Sequence, residues 1–211
     1  MFIYLNSYSC FKILLKIYIF EILFQAIREK DFDTFASLTM RDSDNFHAIC
    51  LDTFPPCVYM NDVSHAAVGL IHKINEVYGG LESNDGSKML ACYTFDAGPN
   101  ACIFLREEHV SLVASFLEHF FPPSTGAVIK LSESTGTTGL GDEAGYIRGE
   151  RVEPTQPSTE MLKKFEGITP LAPGSLKYII HTSIGNGPNT LPEDGPHLLD
   201  IVTGLPKFLS K

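Results

Sequence analysis

Apolar residues recur at helical spacing in several stretches of this chain and bunch into strand-length runs in others. The clearest helix spans about Asp62 to Tyr78. There Val63, Ala67, Leu70, Ile71, Ile74, Val77 and Tyr78 recur at steps of three and four, which lines them along one face. Asp62 can cap its start and Gly79-Gly80 can end it. A second apolar face, made of Val110, Val113, Phe116, Leu117, Phe120 and Phe121, predicts a helix that opens with Glu107 and Glu108 at the positive end of its dipole. Pro122-Pro123 stops it. Upstream, Asp31 suits the cap of a short helix, and a further helical stretch includes Phe46 and Cys50 before Pro55-Pro56. A short helix from Ser158 through Phe165 closes at Gly167.

The strand-length runs are Met89 to Phe95, Ala101 to Leu105, Ala127 to Leu131 and Leu176 to Thr182. The first two flank Asp96-Ala97-Gly98-Pro99-Asn100 and read as adjacent antiparallel strands joined by a conformationally special turn. The last reads as a buried strand. Between Ser124 and Pro157 the chain is rich in Gly, Ser and Thr, which predicts a flexible insertion at about 132–157. Helices on one face of a mainly antiparallel sheet, an α+β architecture, satisfy this order of elements. No internal repeat is present.

The length of 211 residues admits one domain or two small ones. A net charge of −9 with no basic stripe argues against nucleic acid as a partner. The first 25 residues differ from the rest, because sixteen of them are Phe, Ile, Tyr or Leu. They lack the basic start and small-residue cleavage site of a secretory signal, and Lys12, Lys16 and Glu21 interrupt the long apolar run that a membrane span needs. This segment is therefore expected to be a helix packed on protein, and membrane attachment is the lesser alternative. The five cysteines form no CxxC pair, so reduced, buried thiols are expected rather than a disulfide framework. The seven histidines have no ligand spacing, so no metal site is expected.

Gly136-Thr137-Thr138-Gly139-Leu140-Gly141 has the glycines of a phosphate loop, but no GKS or GKT follows, and Asp142 and Glu143 would repel an anion. No GxSxG is present for serine hydrolase chemistry. The local feature with most chemical content is Asp96, a carboxylate at the end of an apolar strand, where desolvation and neighbouring charges set its protonation. Gly98 beside it permits close approach of a ligand or another backbone. On chemistry alone two readings are open: a reactive carboxylate, or an aspartate that bonds the amides of its own turn.

Four blocks stand out in order and spacing. They are Phe46-His47-Ala48-Ile49-Cys50-Leu51-Asp52-Thr53-Phe54-Pro55-Pro56, Tyr59-Met60-Asn61-Asp62, Tyr93-Thr94-Phe95-Asp96-Ala97-Gly98-Pro99-Asn100 and Thr203-Gly204-Leu205-Pro206-Lys207. Together they resemble the carboxy-terminal half of the mevalonate diphosphate decarboxylase family, over about Ala26 to Lys207. The resemblance implies a GHMP kinase superfamily domain, a two-layer ferredoxin-like α+β sandwich over 26–211 with 1–25 outside it. It also implies a cytoplasmic homodimer of the isoprenoid and sterol pathway. That family uses ATP and Mg²⁺ to phosphorylate the tertiary hydroxyl of mevalonate 5-diphosphate, after which phosphate and CO₂ leave and isopentenyl diphosphate remains. By the same resemblance Asp96 is the catalytic carboxylate. The family's nucleotide loop and its substrate-holding Lys, Arg and Ser residues belong to an amino-terminal half with no counterpart here. The chain alone is therefore expected to be inactive or nearly so, and the alternative is a non-catalytic module that dimerises with a full-length enzyme or another partner.

Overall fold

The first element of the computed structural model, which describes residues 7–79, 88–124, 146–190, 198–200 and 203–206 with side chains from residue 18 onward, is a helix. This helix, α1 (Ser7–Glu29), is 23 residues long and runs through the apolar segment without a break at residue 25. It packs along α2 (Phe32–Leu51), and Lys30, at φ 58°, makes the corner between them. Among the described residues no helix is long and apolar enough to cross a membrane. The chain divides into two compact units, Met1–His181 and Thr182–Lys211.

In the first unit, Asp31 caps α2 as its position predicts: its carboxylate accepts from the Thr34 N–H at 3.1 Å and from the Thr34 hydroxyl at 2.6 Å. The short helix and the further helical stretch expected here are one helix of 20 residues. The polar run Arg41-Asp42-Ser43-Asp44-Asn45 does not break it, because it contains no Gly or Pro and Ala36, Met40 and Ser43 keep one buried face in step.

The next helix, α3 (Asp62–Tyr78), has the predicted span but a different cap. Asn61 accepts from the Ser64 N–H at 3.0 Å while the Ser64 hydroxyl receives the Asn61 N–H at 3.2 Å, a reciprocal box that places Asp62 inside the first turn. Gly79 ends it: a Cβ there would strike the carbonyl oxygens of Asn75 and Lys88.

Strands β1 (Ala91–Phe95) and β2 (Ala101–Leu105) pair antiparallel, with Ala91 opposite Leu105 and Phe95 opposite Ala101. Met89 and Leu90, expected in the first strand, are held by side chains instead. Asp33 accepts from the Met89 N–H and Asn75 from the Leu90 N–H, each at 2.8 Å. After β2 the chain makes one 3₁₀ turn at Glu107–His109 and then α4 (Val110–Phe120), which Phe121 follows into the core.

Inside the segment that composition assigns to an insertion, Tyr146 is buried and donates its hydroxyl to the Phe121 carbonyl, and Ile147–Gly149 form β3. Ala127 to Leu131 and the glycine-rich 136–141 lie outside the described residues. Helix α5 (Thr159–Lys163) is capped by Ser158, and β4 (Ile179–His181) pairs parallel with β3. The expected buried strand over 176–182 is thus only three residues long, and Ile180 is 62% exposed.

The described residues do not form one mainly antiparallel sheet. They form two two-stranded ladders, one antiparallel and one parallel, in a mixed architecture of helices and small sheets. The reason lies along β1, where helix side chains occupy backbone positions that a further strand would fill. Asn75 of α3 accepts from the Ala91 N–H at 3.2 Å and donates to the Ala91 carbonyl at 2.8 Å, as a paired strand does. The core lies against this strand. Leu70, Ile71 and Ile74 of α3, residues 90–93 and 95, Val113 and Phe116 of α4, and Phe165 after α5 belong to one buried cluster. Burying each large apolar side chain there contributes about 2 kcal/mol. Phe116 stacks on Phe165 with centroids 4.3 Å apart.

In the second unit, Asp200 organises a tight turn. Its carboxylate accepts from the Thr203 N–H at 2.8 Å, its carbonyl from the Gly204 N–H at 2.8 Å, and Leu199 bridges Pro206. Gly204 takes φ 67° there, where a side chain would be strained.

Candidate active site

Asp96 is the first residue beyond β1, and it is exposed. The strand that delivers it is buried at every residue but Thr94, so a solvent-facing carboxylate stands at the end of a rigid element. The turn is tight at its start, where the Gly98 N–H donates to the Asp96 carbonyl at 2.8 Å. A Cβ at Gly98 would meet open space, so no close approach among the described residues calls for glycine there.

Both ends of this turn are tied to helices. On the strand side, the Ser43 hydroxyl accepts from the Phe95 N–H at 3.0 Å and the His47 ring nitrogen Nε2 donates to the Phe95 carbonyl at 3.1 Å. A carbonyl can only accept, so Nε2 carries the proton. Ser43 and His47 are four residues apart on α2, the spacing that puts two side chains on one helical face. On the far side, the Ser64 hydroxyl, already part of the α3 cap, lies 3.3 Å from the Pro99 carbonyl and shares its one proton between that carbonyl and Asn61 Oδ1 at 3.1 Å. The His47 ring meets Phe46, Tyr59 and Phe95 edge-on, with centroids 5.1 to 6.4 Å away.

One turn deeper, Tyr93 is 1% exposed. Its hydroxyl donates to the Asp44 carboxylate at 3.1 Å and accepts from His72 Nε2 at 3.1 Å, linking α2, β1 and α3. Burial first, then the Asp44 charge, pushes the phenol well above its ordinary value of 10.0.

Across the ladder, Cys102 faces Thr94. Partial burial of its sulfur, and after that the charge of Asp96, raise its thiol above 9.0 although the residue as a whole is exposed. Cys92, fully buried, is pushed up to about 12, chiefly by burial. The expectation of buried thiols holds for Cys50 and Cys92 and fails for Cys57 and Cys102, which are free and exposed. Among the described residues no group of three or more His, Cys, Asp or Glu could hold a metal ion.

Sequence reasoning singled out Asp96 and did not single out Ser43, His47 or Ser64. His47 and Asn61 lie inside the quoted blocks, but the bonds that matter cross 48 and 35 residues of chain, a distance that no local pattern spans. The Asn61-to-Ser64 spacing of a capping box was the one local sign available.

The chain is similar to known proteins over most of its length. The family model for the mevalonate 5-diphosphate decarboxylase C-terminal domain matches residues 18–191. The diphosphomevalonate decarboxylase of Bos taurus is 40% identical over 183 residues, 87% of this chain and 39% of the bovine one. A solved mevalonate 5-diphosphate decarboxylase is similar over 55% of this chain and 27% of its own, at 43% identity and a TM-score of 0.46. A solved mevalonate diphosphate decarboxylase from Enterococcus faecalis, described by its mevalonate diphosphate mediated ATP binding, covers 49% of this chain and 29% of its own, at 21% identity and a TM-score of 0.43. The chain spans 39% to 40% of the length of the bovine and zebrafish relatives it matches.

Proposed function

The chain belongs to the mevalonate 5-diphosphate decarboxylase family, whose C-terminal domain it matches, and from that premise we propose that it supplies the catalytic carboxylate for ATP-dependent decarboxylation of mevalonate 5-diphosphate. The observation that carries this reading is the place of Asp96: exposed, at the end of a buried strand, in a turn tied to α2 and α3. A tertiary alcohol is a weak nucleophile. A carboxylate within hydrogen-bond reach of it orients the oxygen and accepts its proton as the oxygen takes the γ-phosphoryl group of ATP. The new phosphate ester then leaves with the electrons of its C–O bond, the carboxylate leaves as CO₂, and the electrons of the broken C–C bond become the double bond of isopentenyl diphosphate. ADP and phosphate are the other products. Placement and charge stabilisation supply most of the catalysis.

Asp96 is a single carboxylate, and magnesium–ATP takes most of its metal oxygens from phosphate and water rather than from a cluster of protein ligands. In this reading that substrate is held by the part of the family's chain that the resemblance assigns to its amino-terminal half. The same reading takes the domain as a ferredoxin-like sandwich over 26–211, and the protein as a cytoplasmic homodimer in isoprenoid and sterol synthesis.

A chimera tests the proposal. The 183-residue stretch that matches the bovine relative replaces its counterpart there, and CO₂ and ADP are followed with mevalonate 5-diphosphate and magnesium–ATP. The chimera is expected to turn over substrate, and the present chain by itself to do so far more slowly. A folded chimera that binds both substrates and releases no CO₂ contradicts the proposal.

A further inference from the structure

We propose that Ser43, His47 and Ser64 are positioning residues that hold the Asp96 carboxylate in its working direction. The inference rests on the reading of Asp96 as the catalytic carboxylate and adds the residues that aim it.

The argument starts from Phe95, the last residue of β1. Both of its backbone polar groups are taken by one turn of α2, the N–H by Ser43 and the carbonyl by His47. The carbonyl that His47 holds belongs to the peptide plane leading into Asp96, so rotating that plane swings the Asp96 side chain. Four residues after Phe95, the Pro99 carbonyl meets the Ser64 hydroxyl at 3.3 Å, a bond that the hydroxyl shares with Asn61 Oδ1 at 3.1 Å. Between these two anchors the turn closes on itself through Gly98 and Asp96. Asp96 therefore sits on a short arc pinned at both ends by side chains from two different helices. Displacing a reacting group by about 1 Å costs on the order of 10²-fold in rate.

Cys102 reports where the carboxylate points. It lies opposite Thr94 and feels the Asp96 charge, while Cys92 in the same ladder is buried and reports whether the fold is intact. The experiment is alkylation of the full chain by iodoacetamide from neutral to alkaline pH, with each cysteine read separately by peptide mass spectrometry. Asp96→Asn sets the scale and is expected to move the Cys102 midpoint to lower pH. His47→Phe keeps a ring against Phe46 and Tyr59 but removes the donor. It is expected to move the midpoint at least half as far, with Cys92 still unreactive. His47→Gln keeps an N–H donor and is expected to match the parent chain. In the His47→Phe, Asp96→Asn pair the midpoint is expected to stay where Asp96→Asn alone puts it.

A Cys102 profile that His47→Phe leaves unmoved, while Asp96→Asn shifts it, overturns the proposal. So does a profile that Asp96→Asn itself leaves unmoved. If His47→Phe opens Cys92, Ser43→Ala decides the matter by the same criteria. In the active chimera the clamp predicts a lower kcat at constant KM for His47→Phe, restored by His47→Gln. Unchanged turnover in Asp96→Asn would remove the catalytic reading of Asp96 while the alkylation profiles still judged the clamp.

Discussion

Tyr93 shows how much a single buried phenol holds together here. Its hydroxyl joins Asp44 of α2 to His72 of α3 across β1, and its ring lies beside Phe95 in the core. Tyr93→Phe removes both bonds but leaves Asp44 and His72 exposed to water, so it is expected to cost about 1 kcal/mol near neutral pH. The alkaline behaviour follows from burial. Tyr93 lies above its ordinary 10.0, and Tyr146 and Cys92 are each pushed up to about 12, in every case chiefly by burial. In the unfolded chain these groups lose their protons at lower pH, so the stability they carry is complete below their ordinary values and is lost as pH rises. Urea midpoints measured between about pH 8 and about pH 11 are expected to fall, and the gap between the parent chain and Tyr93→Phe to narrow above about pH 10. A gap that widens with pH would contradict the assignment. At this scale the place of Asp96 at the end of a strand was legible because its block is contiguous. Ser43 and Ser64 were not, since their roles depend on backbone groups brought to them by folding.

Helices α3 and α4 were legible because an amphipathic period of sufficient length writes its own boundaries. The α3 cap missed by one residue, because Asn61 and Asp62 are both competent and only the reciprocal bond to Ser64 selects between them. The sheet was less legible. A strand run announces its length and leaves its neighbours unspecified, and at β1 one neighbour is a set of helix side chains. Asn75 is the clearest of these. It is buried and satisfies the N–H of Leu90 and both backbone groups of Ala91. Asn75→Ala would leave those groups without partners in the core and is expected to cost on the order of 3 kcal/mol, read as a lowered urea midpoint with an unchanged slope. A loss no larger than that of an exposed alanine substitution would mean that β1 does not depend on α3 for its edge. The parallel pairing of β3 with β4 had no local sign at all, since 32 residues of chain separate the paired positions Ile147 and Ile179 and β3 lies in a stretch whose composition reads as loop.

For the whole molecule, a chain of 211 residues has the length of a self-sufficient domain, yet it covers only 39% of its bovine relative. Its composition argued against a nucleic-acid partner and left the chemistry open; four separated blocks then pointed to the family that the match over residues 18–191 bears out. Folding brings to Asp96 an exposed position in a turn bonded to α2 and α3. The functional account thus depends on one side chain. The most direct measurement is the rate of CO₂ release from mevalonate 5-diphosphate by the bovine chimera carrying Asp96 and by the same chimera carrying Asp96→Asn, at saturating magnesium–ATP. The account predicts a loss of about 10²-fold or more with the fold intact. Turnover close to that of the Asp96 chimera would contradict it and leave the carboxylate a structural part of its turn.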